Sequence, residues 1–328
     1  MDTIRDTYDR VIDYLRISIT DRCNLRCVYC MPSKGVRLLR YAEILSYEEI
    51  GRIVRVAALL GVRKVRITGG EPLVRKNLGF LIATLRSIPG IEDISLTTNG
   101  MLLGKYAEEL ATAGLTRVNV SVDSLQNDRY AEITRGGSLP VVLAGIQRAV
   151  VLGLTPVKIN MVPIRGINDD EIEAFARLTL ETRCDVRFIE FMPAGASDFW
   201  TADRVVSTQE IMERVDRIAT IDPVKRRKDG PARYYSFAGA PGVLGFISPI
   251  SHHFCSSCNR LRLTSDGKLR PCLFSETEID LKSAMRRNVP DEEISRLLRL
   301  AVEVKPQAHS FADRPDADKR RPMSAIGG

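Results

Sequence analysis

At 328 residues and 44% hydrophobic content, the chain can bury one large core or two smaller ones. Its formal net charge of +7 suits a polyanionic partner such as a nucleotide, while 6% aromatics and no long Lys/Arg run before residue 300 argue against a nucleic-acid-stacking module. No run is long enough to span a membrane and "MDTIRDTYDR" has no apolar signal core, which predicts a cytoplasmic, reducing setting without structural disulfides.

Residues 12–200 alternate apolar strand-like runs with helical stretches. "YLRISIT" (14–20) reads as a strand leading into a cysteine loop. A helix follows over 46–61, with Ser46 and Glu49 as a capping box, Gly61 as its stop, and Ile50, Ile53, Val54, Ala57 and Leu60 in helical period. Strand 62–70 precedes a helix to about residue 88, strand 93–99 a helix over 103–113, and strand 116–123 an apolar helix over 140–153. Strand 156–162 precedes a helix from Asn168, with Glu171 completing an Asx-type cap, and strand 185–193 closes the series. Six βα units argue for parallel strands with right-handed crossovers, as an open sheet or a partial barrel. Cys184 reads as a small hydrophobe on a strand.

After residue 200 the rhythm changes. A short helix starts at Ser207 with Glu210 three positions on. Segments 232–239, 243–249 and 260–273 look like short antiparallel strands, the last containing the hairpin turn "SDGK". Helices are expected near 276–287 and 291–303, and residues 305–328 read as a polar, basic tail. The expected division is 1–225, 226–304 and 305–328.

Six of the seven cysteines fall in two groups of three. Cys23, Cys27 and Cys30 form CxxxCxxC directly after the first strand. Three thiolates can hold three irons of a cubane cluster and leave the fourth iron open. A structural zinc site would normally take four protein ligands, and none of the three histidines (His252, His253, His309) is nearby in sequence. A zinc site completed from elsewhere is the competing reading. "CSSC" (255–258) followed by Cys272 again gives three cysteines, with His252 or His253 available to complete a zinc ribbon instead. Arg260 and Arg262 alternate in "NRLRL" and would share one side of a strand, a plausible anion-binding wall.

The first triad, with Tyr29 inside "CVYCMP" and "TGGEP" (68–72) at the end of the second strand, resembles the radical S-adenosylmethionine (SAM) superfamily. The resemblance implies a partial (βα)6 TIM-like barrel with its active site at the C-terminal strand ends, and a C-terminal α+β extension carrying a second Fe–S cluster. It also implies that groups near Gly70 and the Glu71 carboxylate meet the methionine ammonium of SAM. With the second triad, the intervening RxR and the terminal Gly-Gly, essentially the whole chain resembles the GTP 3′,8-cyclase family of molybdenum cofactor biosynthesis, a lyase-class activity.

That resemblance implies two [4Fe-4S] clusters, on Cys23, Cys27 and Cys30 and on Cys255, Cys258 and Cys272. SAM positions would be Tyr29, Gly70, Ser121 and Met192. GTP positions would be Arg16, Arg66, Thr97, Lys158, Arg260, Leu261 and Arg262, with Arg187 as a further candidate, and Gly327 and Gly328 would enter the active site. A 5′-deoxyadenosyl radical would take hydrogen from ribose C3′, giving (8S)-3′,8-cyclo-7,8-dihydroguanosine 5′-triphosphate. A reductant protein and a downstream cyclic pyranopterin monophosphate synthase would be partners, with no membrane or nucleic acid, for a monomer or homodimer. Triphosphate charge explains the basic residues, since a closed pocket must neutralise it.

Two other readings compete. One is a radical SAM peptide-modifying maturase, which usually carries more C-terminal cysteines. The other is a zinc-stabilised nucleotide- or nucleic-acid-binding protein without catalysis, which metal content would distinguish.

Overall fold

In the computed structural model, residues 3–194, 199–224, 230–309 and 321–327 are described. Six strands form in the expected positions: β1 (Tyr14–Ser18), β2 (Lys64–Thr68), β3 (Asp93–Thr98), β4 (Arg117–Ser121), β5 (Lys158–Met161) and β6 (Asp185–Ile189). They are all parallel and adjacent in sequence order. Between them run α1 (Tyr47–Leu59), α2 (Leu78–Arg86), α3 (Leu103–Thr112), α4 (Asn127–Thr134), α5 (Leu139–Val151) and α6 (Ile172–Glu181).

The strands show a period of two that the parallel arrangement makes functional. Leu15, Ile17, Val65, Ile67, Ile94, Leu96, Val118 and Val120 join the core beneath the helices. Their neighbours Tyr14, Arg16, Arg66, Thr68, Thr97 and Ser121 line a cavity on the other face. Thus each strand buries one face in hydrocarbon and offers polar groups from the other. Helix α1 is capped as its sequence predicts: Ser46 Oγ accepts from Glu49 N (3.1 Å), and the Glu49 carboxylate accepts from Ser46 N (2.7 Å).

The C-terminal region extends this same sheet at both edges. After α7 (Thr208–Asp216), capped by Ser207, come β7 (Ile221–Pro223), β8 (Arg233–Phe237) and β9 (Leu244–Ile247). Then follow β10 (Arg260–Leu263), β11 (Lys268–Arg270), β12 (Ile279–Asp280), α8 (Leu281–Arg286), α9 (Asp291–Glu303) and α10 (Met323–Ile326). The 12-stranded order is β12-β11-β10-β1-β2-β3-β4-β5-β6-β9-β8-β7. The expected antiparallel pairs β8–β9 and β10–β11 form, but β9 joins β6 and β10 joins β1 in parallel, which the sequence reading did not anticipate.

Three local expectations need correction. Asn168 does not cap α6: its Oδ1 accepts from Ile164 N (2.7 Å), its Nδ2 donates to the Asp123 carbonyl (2.6 Å), and the helix starts at Ile172. Glu171 instead accepts from Leu125 N and Ser124 Oγ, tying the β4 loop to this turn. Helix α4 was not foreseen. Finally, residues 321–327 are not a solvated tail, because Ser324, Ala325 and Ile326 are buried and α10 packs on β1. Cys184 is a free thiol buried in the core as expected, but it lies just before β6 and not on the strand.

Candidate active site

The polar strand faces, the cysteine loops and α10 enclose a cavity of about 320 Å³. All six clustered cysteines line it, as do Tyr29, Gly70, Ser121, Met192, Arg16, Arg66, Thr97, Arg187, Arg260 and Arg262. Cysteines separated by up to 249 positions, Cys23 to Cys272, therefore face one space, with the two triads on its walls.

Backbone contacts place the first triad. The loop 21–31 is pinned from below by α4, with Arg26 N donating to Thr134 O (3.1 Å) and Val28 N to Ile133 O (2.9 Å). From above, Gly70 N donates to Thr20 O (2.7 Å) and Glu71 N to Arg22 O (2.8 Å). A Cβ on Gly70 would lie 2.3 Å from Arg22 O, so the approach of β2 to the cysteine loop requires glycine there.

Glu71 departs from the expectation that its carboxylate meets the SAM ammonium. It is 1% exposed and does not line the cavity. Its Oε1 accepts from Leu73 N (3.0 Å) and Thr98 Oγ1 (2.7 Å), and its Oε2 from Asn99 N (2.7 Å). Burial pushes the carboxyl up to about 7 against the pull of these bonds. Glu71 is a positioning residue: it fixes Asn99, whose side chain reaches Asn24 Oδ1 (2.8 Å) and Cys23 Sγ (3.8 Å).

Two further GTP candidates stand apart from the cavity. Lys158 is 0% exposed and donates to the Tyr234 hydroxyl (3.2 Å), on the same face of β5 as the lining residue Asn160 but one pair deeper. Leu261 turns its side chain into the core, because strand alternation sends Arg260 and Arg262 the other way. Gly327 reaches the site through its carbonyl, which accepts from Arg262 Nη1 (2.7 Å), while Gly328 lies outside the described residues.

The register of β10, β1 and β2 sets Arg262 beside Arg16 and Arg16 beside Arg66. At a strand spacing of about 4.8 Å this is a lateral row of three guanidiniums. Burial and the charges of Arg262 and Arg66 hold Arg16 well below the usual arginine range. Burial brings Arg66 down to about 10, and burial with the neighbouring Arg260 brings Arg262 down to about 10. Such a row is poised for a polyanion, which would relieve both the repulsion and the desolvation.

Among the lining residues that escaped the sequence reading, three bear directly on the site. Tyr14 is buried, its hydroxyl has no hydrogen-bond partner, and it lies two residues before Arg16 on the same strand face. Burial raises this phenol, but Arg66, Arg16, Arg117 and Arg260 outweigh it and pull it below its ordinary value. Asp123 accepts from the Tyr29 hydroxyl (2.5 Å) and Val162 N (3.0 Å), fixing Tyr29 beside its cysteines, and burial lifts its carboxyl to about 6. Asn99 is the third. Period-two counting from Arg16 would have found Tyr14; no local signal marks the other two.

The donor sets fit iron–sulfur clusters. Burial and then the neighbouring Cys30 raise the Cys27 thiol well above the thiol range, while burial, Cys23 and Asp123 push Cys30 up to about 12. Three such thiolates repel one another unless a cationic core neutralises them. In the second triad burial raises Cys255. Burial also opposes ionisation of Cys258, but Arg260 and Lys305 outweigh it and bring that thiol down to about 6.

Comparisons with known proteins agree with this arrangement. Residues 17–179 match the Radical SAM superfamily model, and residues 184–311 match Molybdenum Cofactor Synthesis C. A GTP 3′,8-cyclase of Alkaliphilus metalliredigens is 53% identical over 99% of this chain and 100% of its own length. Those of Pelotomaculum thermopropionicum and Thermodesulfovibrio yellowstonii are 53% and 52% identical, each over 99% of this chain and 100% of the relative. Among solved structures, Streptococcus suis SuiB bound to S-adenosylmethionine aligns with a TM-score of 0.61 at 16% identity. That alignment covers 97% of this chain and 76% of SuiB, a likeness of fold.

Proposed function

This chain belongs to the GTP 3′,8-cyclase family, and we propose how its side chains divide that work. It is a radical SAM enzyme that cyclises GTP in molybdenum cofactor biosynthesis, with SAM and two [4Fe-4S] clusters as cofactors. When bound, the first cluster and SAM supply the one-electron, hydrogen-abstracting chemistry of the superfamily.

In our reading Cys23, Cys27 and Cys30 hold the first cluster, and Cys255, Cys258 and Cys272 the second. Tyr29, Gly70, Ser121 and Met192 border the SAM end. Asp123 orients Tyr29 through the 2.5 Å bond, and Glu71 orients the Asn99 turn beside Cys23. At the other end Arg262, Arg16 and Arg66 take the triphosphate, assisted by Arg260, Arg187 and the Thr97 hydroxyl. Arg187 is held ready by Asn160 Oδ1 (2.8 Å) and Asn119 Oδ1 (2.6 Å), which accept from its guanidinium. Lys158, one pair deeper than Asn160 on the same strand face, holds Tyr234. The Gly327 carbonyl accepts from Arg262, and the terminus anchored in this way would help keep water from the cavity.

The carrying observation is the arginine row facing the same cavity as both cysteine triads. It supports (8S)-3′,8-cyclo-7,8-dihydroguanosine 5′-triphosphate as the product, formed between two cofactor sites in one chamber. The functional division would be a barrel over 1–225, a cluster and substrate region over 226–304, and a closing tail over 305–328. A reductant protein would feed the first cluster, and a cyclic pyranopterin monophosphate synthase would consume the product. No helix among the described residues is long and apolar enough to cross a membrane. A cytoplasmic site of action suits two clusters whose thiolate ligands need a reducing setting.

Anaerobic reconstitution followed by SAM, dithionite and GTP tests this reading. The expected products are 5′-deoxyadenosine and an isomer of GTP of unchanged mass. SAM cleavage with GTP unaltered would overturn the substrate assignment.

A further inference from the structure

At the rim of the second cysteine triad, two histidines meet one of its thiols. His253 Nδ1 and His309 Nε2 are 3.1 Å apart, and both side chains offer a nitrogen within 4.8 Å of the Cys255 sulfur. Tetrahedral zinc, with bonds of about 2.0–2.1 Å to nitrogen and 2.3 Å to sulfur, sets its ligands about 3.3 Å (nitrogen to nitrogen) and 3.6 Å (nitrogen to sulfur) apart. The imidazole pair already stands near that separation, and the sulfur needs only a side-chain adjustment.

The framework that brings these residues together is built. Arg10 Nη1 donates to the Cys255 carbonyl (2.7 Å) and to the Gln307 carbonyl (2.9 Å), and its Nη2 to the Pro306 carbonyl (2.7 Å). Buried Asp6 accepts from Arg10 Nε (2.6 Å) and holds that guanidinium in place. Lys305 Nζ donates to the carbonyls of Arg260 (2.9 Å) and Pro271 (2.7 Å). The segment leading to His309 is thereby tied across the cysteine region. The His309 ring also packs edge-on against Phe274, with centroids 4.7 Å apart. Cys255 and His309 are half-buried and His253 is exposed, so an ion can enter from solvent.

We propose that His253, Cys255 and His309 form a site for a single divalent transition-metal ion of the zinc class. The site overlaps the second cluster through Cys255, so the two occupants exclude each other. The exclusion rests on the cluster assignment given above; the ion site itself does not. Two imidazoles and one thiolate suit a borderline ion, and the fourth position is left to water.

The test uses the full chain freed of iron and sulfide under reducing, anaerobic conditions. One equivalent of zinc is added, and its ligand shell is read by X-ray absorption at the zinc edge. The expected shell contains two imidazole nitrogens and one sulfur. His253→Ala and His309→Ala should each weaken zinc binding by more than the roughly 10–100-fold that loss of an outer-shell partner costs. Melting temperatures without metal should match the unsubstituted chain, which separates lost ligation from lost folding; His→Gln variants serve if either alanine variant melts early. A shell of sulfur alone, or unchanged affinity in the folded histidine variants, would overturn the site. Reconstitution after zinc loading should then yield about four irons per chain instead of about eight. Full iron uptake with zinc retained on its two imidazoles and one thiolate would overturn the exclusion alone.

Discussion

The Arg262 guanidinium donates to the Gly327 carbonyl at 2.7 Å, so an arginine of the cavity wall grips the penultimate residue of the chain. Gly327 sits at φ +83°, and a Cβ there would fall 2.2 Å from Thr68 Oγ1. Gly327→Ala should therefore unseat the terminus without touching either cysteine triad. We expect turnover to fall by about a hundredfold, the cost typical of mispositioning by about 1 Å. Iron content should be unchanged. Turnover equal to the unsubstituted enzyme would show the terminus to be passive.

Thr97 offers a separation of binding from stability. Its hydroxyl is buried at the cavity with no partner in the protein. Thr97→Val removes an unpaired polar group, so the melting temperature should hold or rise. GTP affinity should fall about fivefold to tenfold, the worth of one hydrogen bond. Calorimetric titration and thermal melts read the two quantities independently, and a destabilised variant with intact affinity would refute the assignment. Tyr14→Phe should behave in the same way.

Glu71 predicts a pH dependence. Its folded pKa of about 7 lies above the ordinary 4.5, so folding favours the protonated acid. The contribution to stability is full below about pH 4.5 and is lost as pH rises through about 7. The melting temperature of the cluster-free chain should carry a decline between about pH 5 and pH 7 that Glu71→Gln removes. At the acid end that variant should be less stable by about 1–3 kcal/mol, because its amide turns a donor toward the backbone N–H groups. An identical pH slope in both proteins would discard the idea.

Cys272→Ala should leave the first cluster intact. Iron is expected to drop from about eight to about four atoms per chain. SAM cleavage should survive while the GTP isomer disappears. Retention of the full iron count would remove Cys272 from the ligand set.

Much of the site was legible because the chemistry imposes its own spacing. Six cysteines in two triads and an alternating Arg-x-Arg can be seen without any tertiary knowledge, and each of these residues lines the cavity. The six parallel units were legible because each strand carries a period of two and the longer helices a helical period, with α1 also marked by its capping box. Leu261 stands apart for a local reason: a linear motif names consecutive residues, but a strand turns alternate ones away, whereas Lys158 shares the cavity-facing side of β5 with Asn160 and lies one pair deeper, against Tyr234. Glu71 failed because a carboxylate beside a glycine pair looks available, although three backbone and side-chain donors had claimed it. The parallel pairing of β9 and β10 at opposite sheet edges depends on contacts across distant parts of the chain, and no local pattern encodes it.

That pairing has a consequence for how the protein is made. Tyr14 of β1 takes Arg260 as its neighbour, 246 residues later in the chain. During synthesis one edge of β1, an apolar strand leading into reactive thiols, stays open until roughly the final fifth of the polypeptide emerges from the ribosome. Open edges of this kind invite association with other nascent chains, and contacts so distant in sequence form slowly. Expression yield is therefore expected to depend on slow translation and chaperone supply, and fragments ending near residue 225 should aggregate instead of yielding a free-standing barrel.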